Sequence, residues 1–197
     1  MRFAGVSAHC IDQNGVHHGN LFPASPFDSD AEEIVFKYKS RGEKWGFTRT
    51  DVMRQFPFPE PEGVRFVPES YVWFRIARRY KMRFINEELR IYFTDGSDRL
   101  TGGSRYDIAA GRAFFADTLN FSIRWLPHAP LNFMKTAASY VRYCTLRGDS
   151  LATQLRRLDN SPARLLWLVS WPVGWFVAKM DNLGSKSSNH DEQPREY

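Results

Sequence analysis

Within residues 68–93 the sequence changes once from a helical to a strand rhythm, and that one change excludes both an all-helical and an all-strand chain. Val72, Ile76 and Tyr80, with Trp73 beside them, recur at helical spacing and would pack inward. Arg75, Arg78, Arg79 and Lys81 supply a charged outer surface. Pro68 suits a first helical turn, where its missing N–H would have had no partner. The run MRFINEELRIYF that follows is rich in β-branched and aromatic residues and reads as strands broken by Asn86, Glu87 and Glu88.

Around this stretch, residues 1–104 mix short strand-like runs with Pro and Gly punctuation, which makes an α/β piece. The opening MRFAGVSAHCIDQNG has too short an apolar run for a signal peptide and reads as a strand ending in an Asn14-Gly15 turn. The proline-rich FPFPEPEG, residues 56–63, cannot be regular structure. In Asp28-Ser29-Asp30 the spacing predicts a loop and a helix start, with Asp30 as cap and Glu32 and Glu33 in the first turn. Asp95, Gly96, Ser97 and Asp98 read as a turn.

Residues 105–181 form a C-terminal helical region. RYDIAAGRAFFADTLNFSIRWL is stopped by Pro127, PLNFMKTAASYVRYCTLRG is ended by Gly148, and SLATQLRRLDN places Leu151, Leu155 and Leu158 on one face. Ser161 and Pro162 fit the cap and first position of a last helix. Residues 182–197 are polar and are expected to be a disordered tail.

Charge narrows the partners. Lys and Arg number 15 against 14 Asp and Glu in residues 1–104, but 10 against 4 in residues 105–180, so the net +5 is concentrated in the helical region. An anionic surface, membrane lipid or nucleic acid, would suit it. No nucleic-acid reader motif is present and the arginines are scattered along helices, so nucleic acid is not expected. Cys10 and Cys144 are far apart and suggest no disulfide framework, which points to the reducing cytoplasm. His9, Cys10, His17 and His18 lack zinc spacing, and no metal site is expected.

The stretch ARLLWLVSWPVGWFVAKMD contains an apolar run, residues 165–178, that is shorter than the roughly twenty residues a bilayer needs and is interrupted by Pro172. Trp167, Trp171 and Trp175 recur every fourth residue between Arg156, Arg157 and Arg164 on one side and Lys179 on the other. Two readings stand: a helix lying in an anionic membrane surface, peripheral on the inner face of the cell membrane, or a buried helix closing the core.

Glu69, beside Pro68, faces free backbone amides and the positive end of a helix dipole, which favours the ionised carboxylate. Taken alone it is a charge that stabilises the helix or a reagent. The series CIDQNG, KYKSRGEKWGFTRTDVMRQFPFPEPEG, RFVPESYVWFRIARRYKMRFINEELRIYF and TDGSDRLT resembles, in order and spacing, the second half of family 2 glycosyltransferases, bacterial nucleotide-sugar enzymes of the GT-A fold. The likeness covers residues 1–104 well, is most specific over 42–93, and extends more loosely to Asp181.

The resemblance implies a partial GT-A-like mixed sheet with flanking helices, and Glu69 as general base in the acceptor site. It sets Trp45 and Arg49, from KWGFTR, on the acceptor side. Trp45 would stack on a sugar face and Arg49 would hold an anionic group, with core packing and a surface ion pair as the alternatives. The implied reaction is inverting transfer from a nucleotide-sugar to a glycan or lipid-linked acceptor, as in polysaccharide biosynthesis. Such a step needs one base to take the acceptor's proton. The family also implies a divalent metal, Mn or Mg, on an Asp-x-Asp motif in its first half. Asp28-Ser29-Asp30 has that spelling but lies after the strand that the motif should precede, so the donor-metal site is expected to be absent. The chain then reads as a truncated enzyme, acting by itself, within a longer protein or beside a separate N-terminal half, or as a non-catalytic fragment or acceptor-binding partner module that needs another chain to supply the nucleotide half.

Overall fold

The structure, a computed structural model, describes residues 2–60, 67–94 and 108–188. The chain divides into two compact units, the first chiefly Met1–Glu62 with Val67–Tyr106, the second chiefly Asp107–Leu126 with Pro130–Tyr197.

The first unit is mixed α/β. Strands β1 (Phe3–Asp12), β2 (Phe27–Ser29), β3 (Lys44–Thr48) and β4 (Lys81–Tyr92) form one sheet in the order β2-β4-β1-β3. β1 runs parallel to β4 and antiparallel to β3, and β2 runs antiparallel to β4. Helices α1 (Ala31–Phe36), α2 (Thr50–Met53) and α3 (Glu69–Ala77) accompany it. Val72, Ile76 and Tyr80 do point inward, packing with Ala4 and Val52, while Phe22, Ile34 and Phe84 form a second cluster.

The turn after β1 is closed by Asp12, whose Oδ1 accepts from the amides of Asn14 (2.8 Å) and Val16 (2.9 Å), with Gly15 at φ 76°. Asp30 caps α1 as its position predicts, accepting from the Glu33 amide at 2.9 Å. Asp28 and Ser29, however, lie in strand β2 rather than in a loop. Asp28 pairs with Arg83 across the ladder, and that guanidinium makes two 2.8 Å bonds to the Asp28 carboxylate.

Nor is β4 broken at Asn86, Glu87 and Glu88. Its register against β1 passes from Ser7↔Phe84 to His9↔Glu88, so the extra residues bulge and the strand continues. The reason is local. The Asn86 amide exchanges two hydrogen bonds with the Phe22 backbone (2.9 and 3.1 Å), and the Asn86 N–H donates to Ser25 Oγ, replacing ladder bonds that the bulge forfeits.

The second unit is helical: α4 (Ile108–Phe121), a 3₁₀ turn (Ile123–Trp125), α5 (Pro130–Arg147), α6 (Leu151–Arg156) and α7 (Ser161–Ser188). Gly148 ends α5 with φ at 80°, as expected of a C-terminal glycine. Three expectations need correction. Leu151, Leu155 and Leu158 share no buried face, because Leu151 is exposed and the buried residues are Gln154 and Leu158. Gln154 is held inside by the Tyr140 hydroxyl, which donates to its carbonyl at 2.7 Å, and by Trp167 Nε1, which donates to its Oε1 at 2.9 Å. The cap of α7 is Asn160, accepting from the Ala163 amide at 2.8 Å, so Ser161 and Pro162 are already helical. Residues 182–188, expected in the tail, continue α7, which Arg142 ties down through Asp181 at 2.6 Å. Asp95, Gly96, Ser97, Asp98 and residues 189–197 lie outside the described residues.

α5 and α7 run the same way, since Met134, Ala138 and Arg142 meet Ser170, Gly174 and Asp181 in turn. No described helix is long and apolar enough to cross a membrane.

Candidate functional site

A cleft of about 360 Å³ opens in the first unit. Its floor is apolar, with Ile34 of α1, Phe74 and Ile76 of α3, and Phe84 of β4. Its polar and aromatic wall comes from Trp45 on β3, Glu69, Ser70 and Trp73 on α3, and Arg90 on β4. Apolar walls with a few convergent polar groups are the ordinary make-up of a ligand site.

Glu69 is the first residue of α3 and follows Pro68, which has no side chain with which to cap the helix. Its exposed carboxylate makes no hydrogen bond or ion pair to any described residue. Trp73 lies one turn further along the same helix face, so carboxylate and indole approach the cleft from the same side. Trp45, 37% exposed, stands on the edge strand opposite Ala8. Gly46 allows this close seating, because a Cβ there would lie 2.0 Å from the Val6 carbonyl oxygen.

Two of the three residues singled out in the sequence, Trp45 and Glu69, therefore share one cleft. Arg49 is not among its lining residues. The Arg49 guanidinium grips Asp51 twice, at 3.0 and 2.7 Å, and reaches the Phe3 carbonyl at 3.3 Å. That grip holds the Asp51 carboxyl below its ordinary value. Of the two described cations that line the cleft, Arg90 and Lys44, Arg90 has no ion-pair partner among the described residues. The Lys44 ammonium donates to the carbonyls of Arg41 and Gly42, and burial pushes its pKa down. Sequence reasoning missed Trp73 and Arg90 as wall residues. The four-residue interval from Glu69 was the available signal for Trp73; Arg90 had none, because the bulge in β4 sets its position.

A second cluster lies along β1. His9 is fully buried, stacked on Phe22 at 4.3 Å and edge-on to His17 at 4.7 Å. Asn86 Oδ1 accepts from the Phe22 amide and sits 3.0 Å from His9 Nε2, so that nitrogen carries the proton and the buried Nδ1 has no partner among the described residues. Desolvation lowers the His9 pKa, partly opposed by the Asn86 bond. His17 lies 3.3 Å from Glu88, and His18 Nε2 lies 2.9 Å from Asp12, whose carboxyl is held below its ordinary value chiefly by that contact. Among the described residues no three His, Cys, Asp or Glu groups converge as a metal site.

Asp28 and Asp30 are each held by a cation. Arg83 neutralises one, while the other caps α1 and binds the Lys81 ammonium at 2.8 Å. Comparison with family models, with curated proteins and with solved structures returned no match for this chain.

Proposed function

We propose that the first unit is the acceptor side of an inverting, nucleotide-sugar-dependent glycosyltransferase of the family 2 type, built on part of a GT-A-like sheet. The observation that supports this most is the Glu69 carboxylate, without a partner among the described residues, at the head of α3 and in one cleft with Trp45 and Trp73. An acceptor sugar would lay its apolar face on an indole and turn a hydroxyl toward Glu69. As that oxygen attacks the anomeric carbon of the donor and the nucleoside diphosphate leaves from the opposite face, Glu69 takes the hydroxyl proton. The proton transfer becomes favourable only once the attacking oxygen has gained positive character, so the carboxylate acts late in the step. Arg90 is the cation available for an anionic group such as the phosphate of a lipid-linked acceptor. It assumes the duty that the sequence suggested for Arg49, whose guanidinium Asp51 occupies.

The family's Mn or Mg would hold the donor diphosphate. Asp28 and Asp30, each engaged by its own cation, do not fit that duty, and no step here runs through a metal. The reading calls for a nucleotide-binding half, in the same polypeptide or another, and for the cytoplasm, where nucleotide-sugars are made.

The test is turnover with that donor half supplied, in fusion or in trans. Glu69→Gln keeps the shape and removes the base, so turnover should fall by about two to four powers of ten while the melting temperature stays put. Near-full activity in Glu69→Gln would leave the residue as a helix-end charge and the unit as a non-catalytic acceptor-binding module.

A further inference from the structure

α7 is apolar on two opposite sides, and only one of them is packed. Ala163, Trp167, Ser170, Gly174 and Ala178 face inward within the second unit. On the far side Leu165 and Leu168 are 63% exposed, Phe176 60% and Val173 59%, with Val169 and Met180 exposed beside them. No charged residue interrupts residues 165–178, whereas Arg164 and Lys179 bracket them, about 22 Å apart along the helix. Arg156 and Arg157 add exposed cations just before the helix.

From this arrangement we propose that the outward face of α7 docks on an anionic bilayer surface, with Leu165, Leu168, Val169, Val173 and Phe176 entering the headgroup–acyl boundary and Arg164 and Lys179 meeting lipid phosphates. The proposal is independent of the reading of the first unit. Charge decides the occupant. Residues 105–180 hold 10 basic side chains against 4 acidic ones, so a second copy of this face would bring like charges together; antiparallel pairing of two α7 helices sets Arg164 against Lys179. Anionic lipid offers the complementary sign, and long basic side chains reach headgroups from a helix seated just below them.

Pro172 fixes the depth. On the outward side of α7 it has no N–H for the Leu168 carbonyl, a group that water can satisfy at an interface and hydrocarbon cannot. The embedded side is therefore not the one the tryptophans mark. Trp167 is buried against Gln154, Trp171 stacks on Trp175 with centroids 6.0 Å apart at the border, and only Trp175, under the Lys179 ammonium, reaches the outer surface.

Co-sedimentation of the full chain with phosphatidylcholine vesicles, with and without phosphatidylglycerol, tests the proposal. Binding should require the anionic lipid and weaken with salt. A triple variant, Leu165→Gln with Leu168→Gln and Phe176→Gln, should bind roughly a hundredfold more weakly at unchanged melting temperature. Leu89→Gln, at an exposed position of the first unit, should bind like the parent. If the triple variant folds poorly, phospholipids brominated on their acyl chains should quench the Trp175 emission of the intact chain, read as the difference from Trp175→Phe. Binding indifferent to phosphatidylglycerol, an undiminished triple variant, or absence of that quenching would overturn the proposal. So would a dimer, failing to bind vesicles, that the triple variant dissociates, and the face would then belong to a second copy.

Discussion

The place of Glu69 at the head of α3 was legible in the sequence, because Pro68 suits the start of a helix and the residue just after it falls in the first turn. Arg49 was not, since a guanidinium two residues before Asp51 reads equally well as a ligand or as half of a surface pair, and only the chain path from β3 into α2 decides. His9 shows a third case, a titratable side chain sealed beside Phe22 and His17 by the fold. Its folded pKa lies below the ordinary value of 6.5, so on acidification the unfolded chain takes the proton first. The stability it contributes is complete above about pH 6.5 and is lost as the pH falls from there through the lowered folded value. The urea midpoint should therefore drop between about pH 8 and pH 5, and His9→Gln should narrow that drop. An equal drop in the variant would assign the acid sensitivity to other groups.

Among the elements, β4 and α7 show how tertiary context overrides local pattern. The polar Asn86, Glu87 and Glu88 read as a break, yet the Asn86 side chain stands in for the missing ladder bonds. The every-fourth tryptophans read as one face, but four residues turn a helix by about 400°, so the row drifts about 40° at each step and passes from core at Trp167 to surface at Trp175. Because residues 165–178 are apolar all round, no pattern in them tells the packed side from the exposed one. Gly174 does so in the structure, since a Cβ there would lie 2.4 Å from the Ala138 carbonyl oxygen and 2.6 Å from the Val141 Cβ. Helix propensity alone favours Gly174→Ala by about 1 kcal/mol. The clash should reverse the sign and destabilise the second unit by about 1–3 kcal/mol in thermal or urea melts. A stabilised variant would mean that α5 and α7 pack less closely than the structure shows.

For the molecule as a whole, the mixed α/β character and the change to helices after about residue 104 were readable from punctuation and period, whereas the strand order and the cleft depend on pairings among β1, β3 and β4 that no local window contains. With Asp28 and Asp30 both engaged, the chain by itself should show no micromolar binding of UDP- or GDP-sugars in calorimetry with manganese; such binding would return those two carboxylates to consideration as ligands. The central claim is that the cleft of Trp45, Glu69 and Trp73 receives an acceptor sugar. Saturation-transfer NMR of the chain against a panel of bacterial oligosaccharides and polyprenyl-linked sugars tests it most directly. The account predicts that at least one glycan receives saturation, that Trp45→Ala or Trp73→Ala abolishes it in a folded chain, and that Glu69→Gln preserves it. Absence of transfer to every member of the panel, or undiminished transfer in both tryptophan variants, would contradict it.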